Sequence, residues 1–166
     1  SSVGLAAIQI ANSVGAISIA TTRTNAKASA LKAAGAAHVV ATEEQDLVES
    51  INTITNGKGA RIVFDPIGGQ GVDKLAQATS PGGTLILYGG LSLEPTIFPV
   101  ASAFMKGLSL RGYTLFEIVS DKARREAAIA FVTKGLEAGT LKPIIAKTFP
   151  FDSIVEAHRY LESNTQ

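Results

Sequence analysis

The stretch SSVGLAAIQIANSVGA, residues 1–16, opens with no start methionine and no strand ahead of its first glycine, Gly4. Ala, Leu and Ile fall nearly all round the helix that its spacing predicts over residues 3–14, which stops before Gly15. A helix apolar on so much of its surface must be packed on most sides. Such a segment ordinarily follows a buried β-strand and a glycine turn, and strand, glycine turn and helix in that order make a dinucleotide-binding fingerprint. SSVG would be its tail, with the central strand just upstream of Ser1. Gly4 would be its last glycine, letting the helix approach the sheet while free N–H groups face a pyrophosphate. A small residue opening an Ala-rich buried helix accounts for Gly4 equally well.

Downstream, short β-branched runs alternate with longer helical stretches, the pattern of parallel β-α units with helices on both faces. The strands are expected at 17–22, 38–42, 61–65, 84–90 and 108–115. The third, RIVFD, reads as fully buried. Helices are expected at 26–34, capped by Gly35, at 75–79, at 101–106 and, long and amphipathic, at 121–138. Thr42 opens TEEQ, a capping box with Gln45 that predicts a further helix from Thr42 to the Asn56–Gly57 pair. SPGG at 80–83 reads as a turn. After Gly139 an edge-like strand broken by Pro143 and Pro150 is expected, followed by a last helix through Tyr160 capped by Asp152. No unit is repeated. The fold class is thus α/β, a doubly wound parallel sheet without its first strand. One domain covers 1–139, and 140–166 is a C-terminal segment. The missing strand would leave a gap of about 9 to 10 Å, two strand spacings, so either further residues fill it or the chain on its own would bind NADPH poorly.

Composition agrees with a single packed domain: 166 residues, 46% hydrophobic and 17% charged. Fifteen basic and fourteen acidic side chains leave a net charge of +1 without runs of either sign, so neither nucleic acid nor an anionic membrane is the expected partner. A small molecule is. No apolar run approaches the roughly 20 residues of a membrane span, no basic-headed signal segment is present, and the expected location is the cytoplasm. The absence of cysteine excludes disulfides and thiolate metal sites from this segment.

Thr22 stands eighteen residues after Gly4, close to the roughly 20-residue interval at which a carboxylate ordinarily accepts from the adenosine ribose hydroxyls. The run TTRTNAK offers no carboxylate there. Arg23 and Lys27 bring two cations instead, and charge-assisted donors suit a 2′-phosphate that an acid would repel. The pattern favours NADP(H) over NAD(H), with solvated strand-end charges as the alternative.

SSVGLAAIQIANSVGA, GAAHVVAT, KGARIVFDPIGG, SPGGTLILYGG, LRGYTLFE and FPFDSIVEAHRYLES, in this order, resemble the cofactor-binding half of the medium-chain dehydrogenase/reductase superfamily. The likeness is to its quinone oxidoreductase-like branch, often labelled zinc-type alcohol dehydrogenase-like, and covers the whole chain. It implies a Rossmann-type domain in which Ser2, Val3 and Gly4 lie at the pyrophosphate and Thr22, Arg23 and Lys27 surround the 2′-phosphate. Pro66, Ile67 and Gly68 would pass near the adenosine side. Tyr88, Gly89 and Gly90 would lie beside the nicotinamide ribose, and Tyr113, Thr114 and Leu115 by the carboxamide. Ordinary tight turns explain the glycines at 68–69 and 89–90 equally well; only their shared sheet edge argues for more.

Full members of the superfamily carry a preceding catalytic domain, and residues 140–166 would return toward it. With no cysteine and only His38 and His158, the chain offers no tetrahedral zinc set; both histidines read as structural or exposed. Asp65 reads as a turn cap before a proton carrier. No catalytic residue is assigned. The resemblance implies an NADPH-dependent oxidoreductase passing hydride to a quinone or an α,β-unsaturated carbonyl. A zinc-dependent alcohol dehydrogenase domain, a non-catalytic nucleotide-binding or dimerisation module and, more distantly, a methyltransferase are the alternatives. The strand at 108–115 should form the sheet edge and pair with its copy into a homodimer.

Overall fold

All strand pairing in the computed structural model, which describes residues 1–163, is parallel. Helix α1 spans Ser2–Ser13, strand β1 Ile19–Thr22, α2 Ala28–Ala33 and β2 His38–Ala41. These are followed by α3 (Leu47–Ile54), β3 (Ala60–Asp65), α4 (Gly71–Ala78), β4 (Thr79–Leu87), α5 (Val100–Lys106) and β5 (Ser109–Gly112). Helices α6 (Phe116–Val119), α7 (Lys122–Glu137) and α8 (Ile154–Glu162) complete the order.

The strands form two sheets, β1–β2 and β3–β4–β5, with β5 at an edge. One strand placed between β1 and β3 would restore a doubly wound order, so the break falls where the sequence places it. Among the described residues the two halves are joined by apolar packing. Val40, Leu47, Ile51 and Ala78 form one buried cluster, with Ile19 from β1 and Ala60 from β3 against it. Val72, Ala76 and Leu85 form a second, and Leu75 of α4 packs against both.

Several expectations need correction. Only Ile8 of α1 is buried, and Val3, Ile10 and Val14 are exposed, so the helix is not packed on most sides. Strand β3 is not fully buried: Val63 packs on the second cluster, while Ile62 and Phe64, on the opposite face, are 64% and 41% exposed. Helix α3 begins at Leu47, capped by Asp46, whose Oδ1 accepts from Glu49 N at 2.8 Å. Gln45 instead turns back to accept from Ala41 N, and Thr42 Oγ1 donates to Thr22 O, so TEEQ is a connecting turn. The 80–83 turn lies within β4 as a bulge: Ala60 pairs with Thr79, but Ile62 pairs with Thr84. A Cβ on Gly83 would come within 2.5 Å of Thr79 Cγ2, so the bulge closes only around glycine.

Helix α7 buries no residue. Its run AAIAFV places apolar groups on every side rather than in a stripe. Residues 140–150 form no strand. They are tied to α1 by Gln9, whose Nε2 donates to Lys142 O at 2.9 Å and whose Oε1 accepts from Lys142 N at 2.8 Å. Asp152 lies inside a 3₁₀ turn, Phe151–Ser153, that leads into α8, and does not cap that helix. No helix among the described residues is long and apolar enough to cross a membrane.

Replacing Asp46 by Ala is expected to lower the unfolding free energy by about 1 kcal/mol in urea denaturation, since it removes a true cap. Thr42→Ala should cost clearly less; equal losses would put the helix start back at Thr42.

Candidate functional site

Parallel pairing brings the carboxyl ends of β3, β4 and β5 to one edge, and the turns leaving β3 and β4 are tied to one another. Asp65, buried at the end of β3, accepts from Ile67 N through Oδ1 at 3.1 Å and from Gly68 N through Oδ2 at 2.8 Å. It therefore acts as the turn cap that the sequence favours. Pro66 O accepts from Leu91 N and Ile67 O from Ser92 N, while Gly69 N donates to Thr96 Oγ1 at 2.8 Å. A Cβ on Gly89 would lie 2.6 Å from Pro66 O, so this glycine is required by close backbone approach and is more than an ordinary turn residue. The ladders continue one residue past each strand, with Tyr88 N donating to Asp65 O and Tyr113 N to Leu87 O.

On this edge Phe64 stacks on Tyr88 with ring centroids 3.8 Å apart, and Tyr113 stands tilted at 6.5 Å from Phe64. Phe64 is absent from the residues singled out in the sequence. Its signal was available: a large aromatic one residue before a strand end, in phase with the open face. Burial first, and the Asp65 carboxylate second, push the Tyr88 phenol above its ordinary value. Beyond β5, Glu117 pairs with Arg111 and accepts from Thr114 N, and the exposed Leu115 precedes α6. A cavity of about 190 Å³ beside this edge is lined by Thr96, Phe98, Leu110 and Arg111 among others. A larger open groove of about 490 Å³ lies elsewhere, between α1 and the 139–144 segment.

The end of β1 forms a second group. Thr22 O accepts from Thr42 N at 2.8 Å and Arg23 O from Glu43 N at 2.9 Å, which sets the loops after β1 and β2 side by side. Arg23 and Lys27 are exposed there. The Glu44 carboxylate reaches across to accept from Asn25 N at 2.8 Å and from Asn25 Nδ2. A carboxylate from the neighbouring loop is therefore fastened to the loop after β1, at Asn25. Reading TEEQ as a helix start hid it.

Ser2, Val3 and Gly4 form the first turn of α1, with Val3 48% exposed. The Gly4 N–H is not free: Ser1 Oγ accepts from it at 3.2 Å, the ordinary work of an N-cap. No hydrogen bond among the described residues ties this turn to the other two groups. No three His, Asp or Glu side chains gather into a metal-holding group among the described residues, and His38 and His158 are exposed on separate elements. The donor set does not fit a zinc ion.

A family model described as "Zinc-binding dehydrogenase" matches residues 2–134. The 2-haloacrylate reductase of a Burkholderia species is 29% identical over 153 residues, which cover 91% of this chain and 46% of the relative. Quinone oxidoreductase 1 of Escherichia coli K12 is 31% identical over 169 residues, covering 97% of this chain and 50% of the relative. A crystal structure of Escherichia coli quinone oxidoreductase complexed with NADPH superposes with a TM-score of 0.87 at 28% identity, covering 99% of this chain and 51% of that one. The chain spans about half the length of these relatives.

Asp65→Asn keeps one acceptor for the turn but removes the charge facing Tyr88. Its phenol pKa should fall part of the way toward 10.0, the desolvation component remaining. Ring-labelled tyrosine NMR across an alkaline titration reads this directly; an unmoved Tyr88 resonance would show that Asp65 does not act on it. Because the folded pKa is the raised one, this phenol's contribution to stability is full below its unfolded value and is lost as pH rises through the folded one.

Proposed function

The chain belongs to the zinc-binding dehydrogenase family of the medium-chain dehydrogenase/reductase superfamily, and from that premise we propose that it holds the coenzyme of an NADPH-dependent oxidoreductase. The observation that carries this reading is the shared edge: the carboxyl ends of three adjacent parallel strands lie side by side, and the turns after β3 and β4 are locked together there. Open α/β sheets bind their ligands there.

Arg23 and Lys27 would hold the 2′-phosphate by charge-assisted hydrogen bonds. Gly89 and Gly90 would let backbone approach the nicotinamide ribose, while Phe64, Tyr88 and Tyr113 present an aromatic wall that excludes water on one side. Pro66, Ile67 and Gly68 are held ready by Asp65. Ser2, Val3 and Gly4 would lie at the pyrophosphate, where Ser1 already occupies one donor. The bound coenzyme supplies a hydride, and this chain's task is to hold and orient it. The proposed acceptor is a quinone or an α,β-unsaturated carbonyl compound. It is supported by the relatives named for a quinone and for 2-haloacrylate, both of which carry an electron-poor, conjugated double bond. The proposed location is the cytoplasm.

We further propose a homodimer joined through the open edge of β5. That strand pairs only with β4 among the described residues, and an unpaired edge is a liability that a second copy would remove.

Arg23→Asp combined with Lys27→Ala should lower the ratio of kcat/KM for NADPH over NADH by about tenfold or more, equivalent to some 1.4 kcal/mol. An unchanged ratio removes the phosphate assignment, and loss of activity on adding a chelator would favour a zinc alcohol dehydrogenase instead. Sedimentation equilibrium should return twice the protomer mass; a stable monomer overturns the β5 interface.

A further inference from the structure

The loop after β1 carries both cations of the proposed 2′-phosphate site, and one carboxylate from outside that loop is fastened to its middle. Asn25 lies two residues from Arg23 and two from Lys27. Glu44 accepts from both its backbone N–H and its side-chain amide. The register of the two loops leaves Glu44 little choice of place. Thr42 N and Glu43 N donate to Thr22 O and Arg23 O, and Glu44 N turns back to Ala41 O at 3.0 Å, which aims the side chain over the 3₁₀ turn Asn25–Lys27. Glu44 and Gln45 diverge here, because Gln45 is spent on Ala41 N within its own turn.

We infer that Glu44 is a specificity-determining residue that restrains the preference for a 2′-phosphorylated adenosine ribose over a plain one. The inference rests on the coenzyme site proposed above and deepens it. A carboxylate held beside the two cations opposes a phosphate dianion in the same loop and leaves a plain ribose unopposed; its hydroxyls can even donate to it. The clasp on Asn25 orders the loop for both ligands alike, so it does not separate them, and only the charge does. For an exposed carboxylate under water-like screening, the penalty is about threefold to tenfold in affinity. On this reading the site tolerates both coenzymes, with a lean toward the phosphorylated one that Glu44 makes smaller.

The test uses the protein at full length and two fragments of the coenzyme, adenosine 2′,5′-bisphosphate and 5′-AMP, titrated calorimetrically at fixed ionic strength. Glu44→Gln keeps an acceptor for Asn25 N and drops the charge. It should tighten the bisphosphate by about threefold to tenfold and leave 5′-AMP unchanged within twofold, while Glu44→Asp should stay near the parent ratio. The gain should shrink as salt is raised. An unchanged ratio, or a parallel change for both ligands, overturns the role of Glu44 while leaving the coenzyme site standing. If the unsubstituted protein binds the bisphosphate no tighter than 5′-AMP, and Arg23→Asp with Lys27→Ala changes neither, the coenzyme reading itself falls and this inference with it. Glu44 is exposed, so far-UV circular dichroism of the variants should match the parent.

Discussion

The turn that leaves β3 is the constraint on which the candidate site depends. Asp65 fastens it from inside by accepting two consecutive N–H groups, and the Pro66 and Ile67 carbonyls fasten it from outside to the segment that follows β4. Gly89 is squeezed against Pro66 because the two turns have to share one narrow edge. The aromatic stack of Phe64 on Tyr88 follows from the same register, since Phe64 pairs with Ile86 and the rings emerge side by side from neighbouring strands. Removing the buried carboxylate would therefore loosen a surface assembled from two loops as well as one strand's cap.

Cohesion between the two sheets has a different origin. Hydrogen bonds hold each sheet, but the seam between them is apolar and runs through α3 and α4, with Leu75 touching both clusters. Apolar packing is non-directional and tolerates small shifts, whereas a ladder does not. The β1 end with Arg23, and the β3–β5 edge with Tyr88, are accordingly rigid groups whose mutual placement rests on methyl and methylene contacts.

How much of this was legible follows the physics of each signal. Strands stand out because β-branched runs bounded by glycine or proline have few other uses: five lie near their expected places, although β4 begins five residues earlier, at Thr79, and the edge-like strand expected after Gly139 does not form. The cations after β1 were legible by spacing. Features set by tertiary register were not. Thr42 has the composition of a cap, and only its bond to Thr22 shows that it is engaged elsewhere and that Asp46 caps the helix. The bulge at 80–83 and the turn expected there are the same residues in the same tight path, distinguished by whether the flanks continue one strand. Glu44 escaped because its partner lies nineteen positions away. Composition misleads on α1, where apolar residues nearly all round the helix point to burial on most sides and only Ile8 is buried, and on α7, where an amphipathic stripe is expected and the apolar groups fall on every side.

The Gln9 clamp on Lys142 has a consequence for the order in which this chain assembles. It closes a span of 133 residues with two exposed hydrogen bonds. Closing a flexible loop of that length costs about 4 kcal/mol beyond a constant, while two such bonds return about 1 kcal/mol each. The contact cannot nucleate anything. It forms only after the intervening units have folded and shortened the span, so the side-chain amide of Gln9 acts as a late fastener, imitating a neighbouring strand's N–H and C=O for a segment that never becomes one.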